Sequence, residues 1–206
     1  IPNFIELDKH ETEAITSCRR SVMATEKERI ITHISNFRKV KRIPDVIQIF
    51  YKIQQEIPAK LMMVGDGPEK EKAEYLCQEL GILDKVIFFG NSNEIDKILS
   101  YTDLFLLPSE TESFGLAALE AMAWSVPVIS SNSGGLPEVN FDGISGYLSN
   151  KGNTDEMAQN ALKILKDDAT LNKFKENALS VAKQFDIENI LPLYEELYHK
   201  AINKFS

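Results

Sequence analysis

A chain of 206 residues, 43% apolar and 26% charged, is long enough to bury a sizeable core and suits one α/β domain. Its 31 acidic residues outnumber 23 basic ones, and a net charge of −8 argues against a nucleic-acid partner, whose phosphates require a basic stripe. Two cysteines (Cys18 and Cys77) exclude a disulfide scaffold and suit a reducing cytosol, and no apolar run approaches the ~20 residues of a membrane span.

Residues 1–29 are polar and mixed in charge and read as a connecting arm or peripheral segment. The start Ile1-Pro2-Asn3, with neither Met nor a signal-peptide pattern, reads as the middle of a longer protein. From Ile30 onward short apolar runs alternate with segments of helical period. Strands are predicted at Ile30–Ser35, Ala59–Val64, Val86–Phe89, Asp103–Leu107, Pro127–Ser130 and Gly146–Leu148. Helices are predicted between them at Pro44–Ile57, Glu69–Leu80 (with Gly81 as its C-cap), Glu94–Leu99 and Gly115–Trp124. After residue 154 there is no strand signal, only three helices, Asp155–Lys166, Leu171–Gln184 and Ile187–Ile202, the last interrupted by Pro192. Residues 30–166 thus form the α/β body and residues 167–206 the C-terminal helices of the same domain. Strands apolar on both faces and separated by helices imply a Rossmann-like parallel sheet of about six strands, covered on both faces. Ligands of such sheets bind beyond the carboxyl ends of the strands, which directs attention to the loops after Ser35, Val64, Phe89, Leu107 and Ser130.

The most informative of these loops runs from Pro108 to Gly115 and into the helix that follows. The first amides of a helix lack internal partners and the dipole favours anions there, while Gly115 lets a pyrophosphate approach the backbone. Glu112 precedes this helix and Glu120 lies one to two turns inside it. The two carboxylates either flank one ligand and accept from sugar hydroxyls, or are solvated acids around an ordinary amphipathic helix. The loop Ser35-Asn36-Phe37-Arg38-Lys39-Val40-Lys41-Arg42 places four cations at the sheet rim, where they can neutralise a diphosphate or simply be solvated. Gly65-Asp66-Gly67-Pro68 and Gly134-Gly135-Leu136-Pro137-Glu138 are tight turns or backbone walls of a ligand site. His33, inside a strand, reads as a satisfied core or rim histidine; His10 and His199 lack partners at metal-ligand spacing, and Trp124 reads as packing.

Other nucleotide chemistries lack their motifs. No G-x-G-x-x-G follows the first strand, and neither a G-x-x-x-x-G-K-[ST] loop nor a G-x-S-x-G elbow occurs. An Asp-x-Asp pair that would hold a metal on a nucleotide-sugar diphosphate is missing too.

In this order the motifs resemble the C-terminal nucleotide-sugar domain of the family-4 (group 1) retaining glycosyltransferases, which have the two-domain GT-B fold. The family's E-x7-E signature matches Glu112 to Glu120, and Pro108-Ser109, Glu120-Ala121-Met122-Ala123, Val126-Pro127-Val128-Ile129, Val64-Gly65-Asp66-Gly67-Pro68 and Gly134-Gly135-Leu136-Pro137-Glu138 match around it. Within the family, His33 to Arg42 resembles the branch that transfers GlcNAc from UDP-GlcNAc to L-malate in bacillithiol biosynthesis. The resemblance implies that Glu112 holds the transferred sugar, Glu120 the ribose of UDP, and the amides around Phe114, Gly115 and Leu116 the diphosphate. Lys41 and Arg38 would neutralise that diphosphate. Ser35, Asn36, Gly65 and Asp66 would line the donor site, and Phe89, Gly90 and Asn91 would face the uracil. It further implies a metal-independent reaction without cofactor, and an acceptor-binding N-terminal domain as the partner of this half. Two departures stand out: many members have Gly-Arg at Ser35-Asn36, and a small residue plus Gly at Trp124-Ser125. A UDP-GlcNAc 2-epimerase-like isomerase, which shares the fold, and a non-catalytic nucleotide-sugar-binding module are the alternative readings.

Overall fold

Strands without a polar face cannot border water, and the chain buries them between two helical layers. The computed structural model describes residues 1–7 and 20–204. Its six strands are β1 (Arg29–Ile34), β2 (Ala59–Val64), β3 (Val86–Gly90), β4 (Leu104–Leu107), β5 (Val128–Ser131) and β6 (Gly146–Ser149). They form one sheet in the order β3-β2-β1-β4-β5-β6, with every neighbouring pair parallel. The helices are α1 (Arg20–Met23), α2 (Ile43–Gln54), α3 (Lys70–Glu79), α4 (Ile95–Ser100), α5 (Leu116–Ala123), α6 (Leu136–Val139), α7 (Thr154–Leu165), α8 (Asp168–Ala182) and α9 (Ile187–Lys204). The α/β Rossmann-like sheet expected from the sequence is therefore present, its strands within a residue or two of their predicted limits.

Alternation along each strand divides the core. Leu104 and Leu106 of β4 face the layer of α2, α3 and α7, where Val46, Ile49, Phe50 and Ile164 are buried. Phe105 and Leu107 face the opposite layer, with Ala118, Leu119 and Met122 of α5 and Val181 of α8. Truncating a fully buried phenylalanine such as Phe105 to alanine removes about 3–5 kcal/mol. Cys77 of α3 is buried in the first layer, and burial pushes its thiol up to about 11.

The described residues of the N-terminal segment are tied down. Ile5 bridges to the start of α9, donating to the Phe185 carbonyl and accepting from the Ile187 amide. At the amino end of the sheet the buried Asp103 accepts from the Ile30 amide (3.0 Å), from Arg20 (2.9 Å) and from Lys175 (3.0 Å), so one carboxylate joins α1, β1 and α8. Burial alone would raise its pKa, but Lys175, the Ile30 amide and Arg20 outweigh it and hold the carboxyl low.

Pro192 does not interrupt the last helix, contrary to expectation: α9 continues through it to Lys204. The proline sits near the beginning of the helix, at a position exposed to solvent, where water can satisfy the carbonyl that loses its amide donor. Among the described residues no helix is long and apolar enough to cross a membrane.

The strand order sets the site. The chain runs outward from β1 through β2 to β3, then returns to the other side of β1 with β4. Helices diverge at that reversal and open a crevice between the carboxyl ends of β1 and β4.

Candidate functional site

The loops after β1 and β4 meet in this crevice. Lys39–Lys41 form a single 3-10 turn, closed by Arg42 in the left-handed region (φ 52°), and α2 starts immediately after. The Glu110 amide donates to the Val40 carbonyl at 2.7 Å and joins the two loops backbone to backbone. Beside that bond the Lys41 ammonium donates to Glu112 Oε1 at 2.6 Å, and the Ser109 hydroxyl donates to the same oxygen at 2.8 Å. Both partners of the ion pair are largely buried, so it is screened less than a surface pair. Among the described residues Lys41 keeps two ammonium protons for other acceptors, and Glu112 Oε2 keeps its lone pairs.

The four cations of the first loop do not act together. Arg42 turns away from the crevice, its Nε donating to Asp45 (2.7 Å) and its Nη1 to Glu110 (2.8 Å), which also receives Lys151 (2.8 Å). These bonds raise the Arg42 pKa further. Arg38 and Lys39 are exposed, and among the described residues the Arg38 guanidinium has no hydrogen-bond or ion-pair partner. The basic loop thus presents Lys41 to the crevice and Arg38 at its edge, while Arg42 is a strut.

The second half of the site is the amino end of α5. Gly115 has φ 100°, and the Ala118 and Leu119 amides both turn to its carbonyl. Among the described residues the preceding amides of Phe114, Gly115, Leu116 and Ala117 have no backbone acceptor, as expected of a helix start. Phe114 is anchored edge-on to Phe185 at 5.8 Å, which fixes where those amides lie. Leu116 and Glu120 share an exposed helix face, four residues apart. Although Glu120 is open to solvent on one side, its carboxyl is held above the usual range, first by burial of the other side and then by the Asp96 carboxylate. Asp96 in turn accepts from the Trp124 indole at 3.0 Å, so Trp124 does more than pack.

The glycine-rich turns are fitted to these loops. A Cβ on Gly65 would lie 1.8 Å from the Ser35 carbonyl oxygen, and one on Gly67 2.9 Å from that of Asn36. A Cβ on Gly134 would lie 1.9 Å from the Glu112 carbonyl oxygen, and the Gly135 amide donates to that oxygen at 2.9 Å. The first turn therefore holds the Ser35–Asn36 backbone and the second holds the Glu112 loop. Asp66 is exposed and caps the Gly67 amide (2.8 Å). Gly90 accepts from the Gly65 amide (2.8 Å) with φ 67°, which places Phe89 half-buried and Asn91 exposed at the rim of the neighbouring loop.

His33 is fully buried and doubly bonded, as its position in a strand suggested. Its Nδ1 lies 2.8 Å from the Leu106 carbonyl and its Nε2 2.7 Å from the Ser35 hydroxyl. Burial, assisted by the Lys41 charge, pushes its pKa down to about 4. His10 and Cys18 lie outside the described residues. Among the described residues no group of three or more His, Cys, Asp or Glu side chains could hold a metal ion.

The structure thus gathers Lys41, Glu112, Ser109 and the His33–Ser35 pair in one crevice, and brings Asp96 of α4 to Glu120 and Trp124 at α5. The sequence named Ser109 only as part of a matching segment and gave it no role, and it pointed to neither Asp96 nor the Arg42–Glu110 strut. Ser109, directly beside the predicted loop carboxylates, was the one with a local signal.

Comparison with known proteins identifies the family and the fold. The family described as Glycosyl transferases group 1 matches residues 15–181. N-acetyl-alpha-D-glucosaminyl L-malate synthase of Bacillus anthracis is 43% identical over 201 residues, 97% of this chain and 53% of that protein, so the chain spans about half the length of this relative. A sucrose-phosphate synthase from Thermosynechococcus elongatus has a TM-score of 0.86 at 26% identity, covering 99% of this chain and 52% of that one. Anabaena Alr3699/HepE, crystallised with UDP and glucose, has a TM-score of 0.86 at 23% identity, covering 96% and 55%. The sheet accordingly has the fold of one Rossmann-like half of a GT-B protein. By the family match over residues 15–181 and the 43% identity to the Bacillus anthracis relative, the chain belongs to the group 1 glycosyltransferases.

Proposed function

We propose that this chain is the donor-binding half of a retaining glycosyltransferase that takes UDP-GlcNAc and passes GlcNAc to L-malate, working with an acceptor-binding N-terminal domain. The observation that carries the reading is the Lys41–Glu112 pair, which sets a cation and a carboxylate side by side in the crevice between β1 and β4. Support for the sugar and the acceptor comes from the 43% identity to the Bacillus anthracis malate synthase, and support for UDP from the ligands of the Anabaena neighbour.

In this reading the bond from the sugar's anomeric carbon to the diphosphate breaks while the malate hydroxyl oxygen bonds to that carbon on the same face. Negative charge grows on the β-phosphate, which takes the hydroxyl's proton as UDP leaves. The two free ammonium protons of Lys41 and the amides of Phe114 to Leu116 meet that charge, and because they are held in place beforehand they lower the barrier. Glu112 Oε2 accepts from a hydroxyl of the transferred sugar. Glu120, on the open face of α5, accepts from the ribose hydroxyls. Positive charge is supplied by the chain itself, so the reaction proceeds without a metal.

Titration calorimetry of this chain with UDP tests the site. Binding that weakens at least tenfold in Glu120→Ala supports it; no heat at millimolar UDP, or equal affinity in the variant, overturns it. In the longer enzyme, GlcNAc transfer that requires malate and persists in excess EDTA supports the remaining parts. Conversion of UDP-GlcNAc without any acceptor would instead favour an isomerase.

A further inference from the structure

The buried His33 has only one arrangement of protons that satisfies its neighbours. The Leu106 carbonyl can only accept, so His33 Nδ1 carries the hydrogen of that 2.8 Å bond. In the neutral ring, Nε2 is then an acceptor, and the hydrogen of the 2.7 Å bond to Ser35 must come from the Ser35 hydroxyl. The hydroxyl proton of Ser35 is therefore committed inward, and its oxygen can offer only lone pairs to anything else. Ser35 is the first residue after β1, half-buried at the crevice, and its backbone is held by the close approach of Gly65. His33 is near enough to feel the charges of both Lys41 and Glu112.

We infer that Ser35 is a specificity-determining residue whose hydroxyl, oriented by His33, accepts a hydrogen bond from an O–H or N–H group of the sugar part of the bound donor. The inference rests on the proposed reading of the crevice as a nucleotide-sugar site. Its physical content is polarity. Phosphate oxygens are acceptors and gain nothing from an oxygen that cannot donate, whereas sugar hydroxyls and an acetamido N–H are donors that it satisfies. Ser35 thus belongs with Glu112 Oε2 on the accepting side of the crevice, and Lys41 and the α5 amides form the donating side. His33 acts as a positioning residue through Ser35.

The test compares UDP with UDP-GlcNAc and UDP-glucose by calorimetry on this chain, in wild type, Ser35→Ala, Ser35→Thr and His33→Asn. One neutral hydrogen bond corresponds to about a fivefold change in affinity. The expectation is that Ser35→Ala loses about fivefold for at least one UDP-sugar with UDP unchanged, and that Ser35→Thr, which keeps the hydroxyl, restores it. His33→Asn retains a donor for the Leu106 carbonyl, but its own carbonyl falls short of the Nε2 position that Ser35 used; it should lose the same sugar-dependent increment, and adding Ser35→Ala should lose no more. Equal weakening of UDP and the UDP-sugars, or no change in either, overturns the inference. If Ser35→Ala does not fold by circular dichroism, Ser35→Gly carries the same comparison. Absence of UDP binding to wild type is a different result: the site reading itself fails, and the inference falls with it.

Discussion

Arg42 Nη1 lies 2.8 Å from Glu110 Oε2 while the adjacent Lys41 Nζ lies 2.6 Å from Glu112 Oε1. Neighbouring cations of one loop thus seize alternate carboxylates of another. The arrangement divides labour: the outer pair holds the loops together, and the inner pair remains available to a ligand.

The outer pair is maintained against backbone strain, since Arg42 occupies the left-handed region at φ 52°. Arg42→Ala loses the strut and keeps the strain, whereas Arg42→Gly loses the strut and relieves it. Urea unfolding should find Arg42→Ala less stable than Arg42→Gly by about 1 kcal/mol. Both variants should bind UDP more weakly, because Lys41 is no longer held opposite Glu112. Equal stabilities would remove the strain from the explanation.

Glu120 trades stability for binding. Its folded-state pKa is raised, so the folded protein keeps this proton to higher pH than the unfolded chain does. The corresponding stability is present at low pH and is lost as pH rises through the raised value. Glu120→Gln should therefore unfold at higher urea than wild type at pH 7, with the advantage shrinking as the solution is acidified and the wild-type carboxyl protonates. The same variant should bind UDP more weakly. A variant less stable than wild type at pH 7 would contradict the burial argument.

Ser125 follows α5 with φ 58° and donates its amide to the Met122 carbonyl at 2.9 Å. The resemblance leads one to expect Gly here, and the turn into β5 does place this residue in the left-handed region. Ser125→Gly should raise stability by about 0.5–1 kcal/mol, seen as a higher Tm, with UDP affinity unchanged. Ser125→Ala should show no such gain.

The strands were legible because their signal is local. Leu104 to Leu107 are apolar at every position, and only a strand buried on both faces accommodates that. The Glu112–Glu120 spacing was legible as well, since a loop followed by a helix at a strand's carboxyl end sets both positions. The resemblance pointed to Lys41 as the cation, but residue type alone did not say which cation meets which carboxylate. Lys41 and Arg42 carry the same charge in one loop, and the left-handed turn at Arg42 and the position of Asp45 one helical turn later decide which of them faces the crevice. The direction of the Ser35 hydroxyl was hidden for a similar reason, because it depends on a carbonyl of β4 that is 73 residues from His33. Pro192 misled because a proline is judged by its effect on an isolated helix, while here it falls at an exposed place near the helix start.

Gly134 makes no side-chain contact of any kind, yet it determines how far the Glu112 loop stands from its neighbour: a single added carbon would lie 1.9 Å from the Glu112 carbonyl oxygen. Gly134 itself is exposed, but what the carbon would strike is backbone, which cannot rotate aside as a side chain could, so the loop must retreat and carry its carboxylate away from Lys41. The glycine serves as a spacer of zero thickness. Positions intolerant of substitution therefore extend beyond the set that meets the nucleotide, and a variant can lose the site while retaining every residue that lines it.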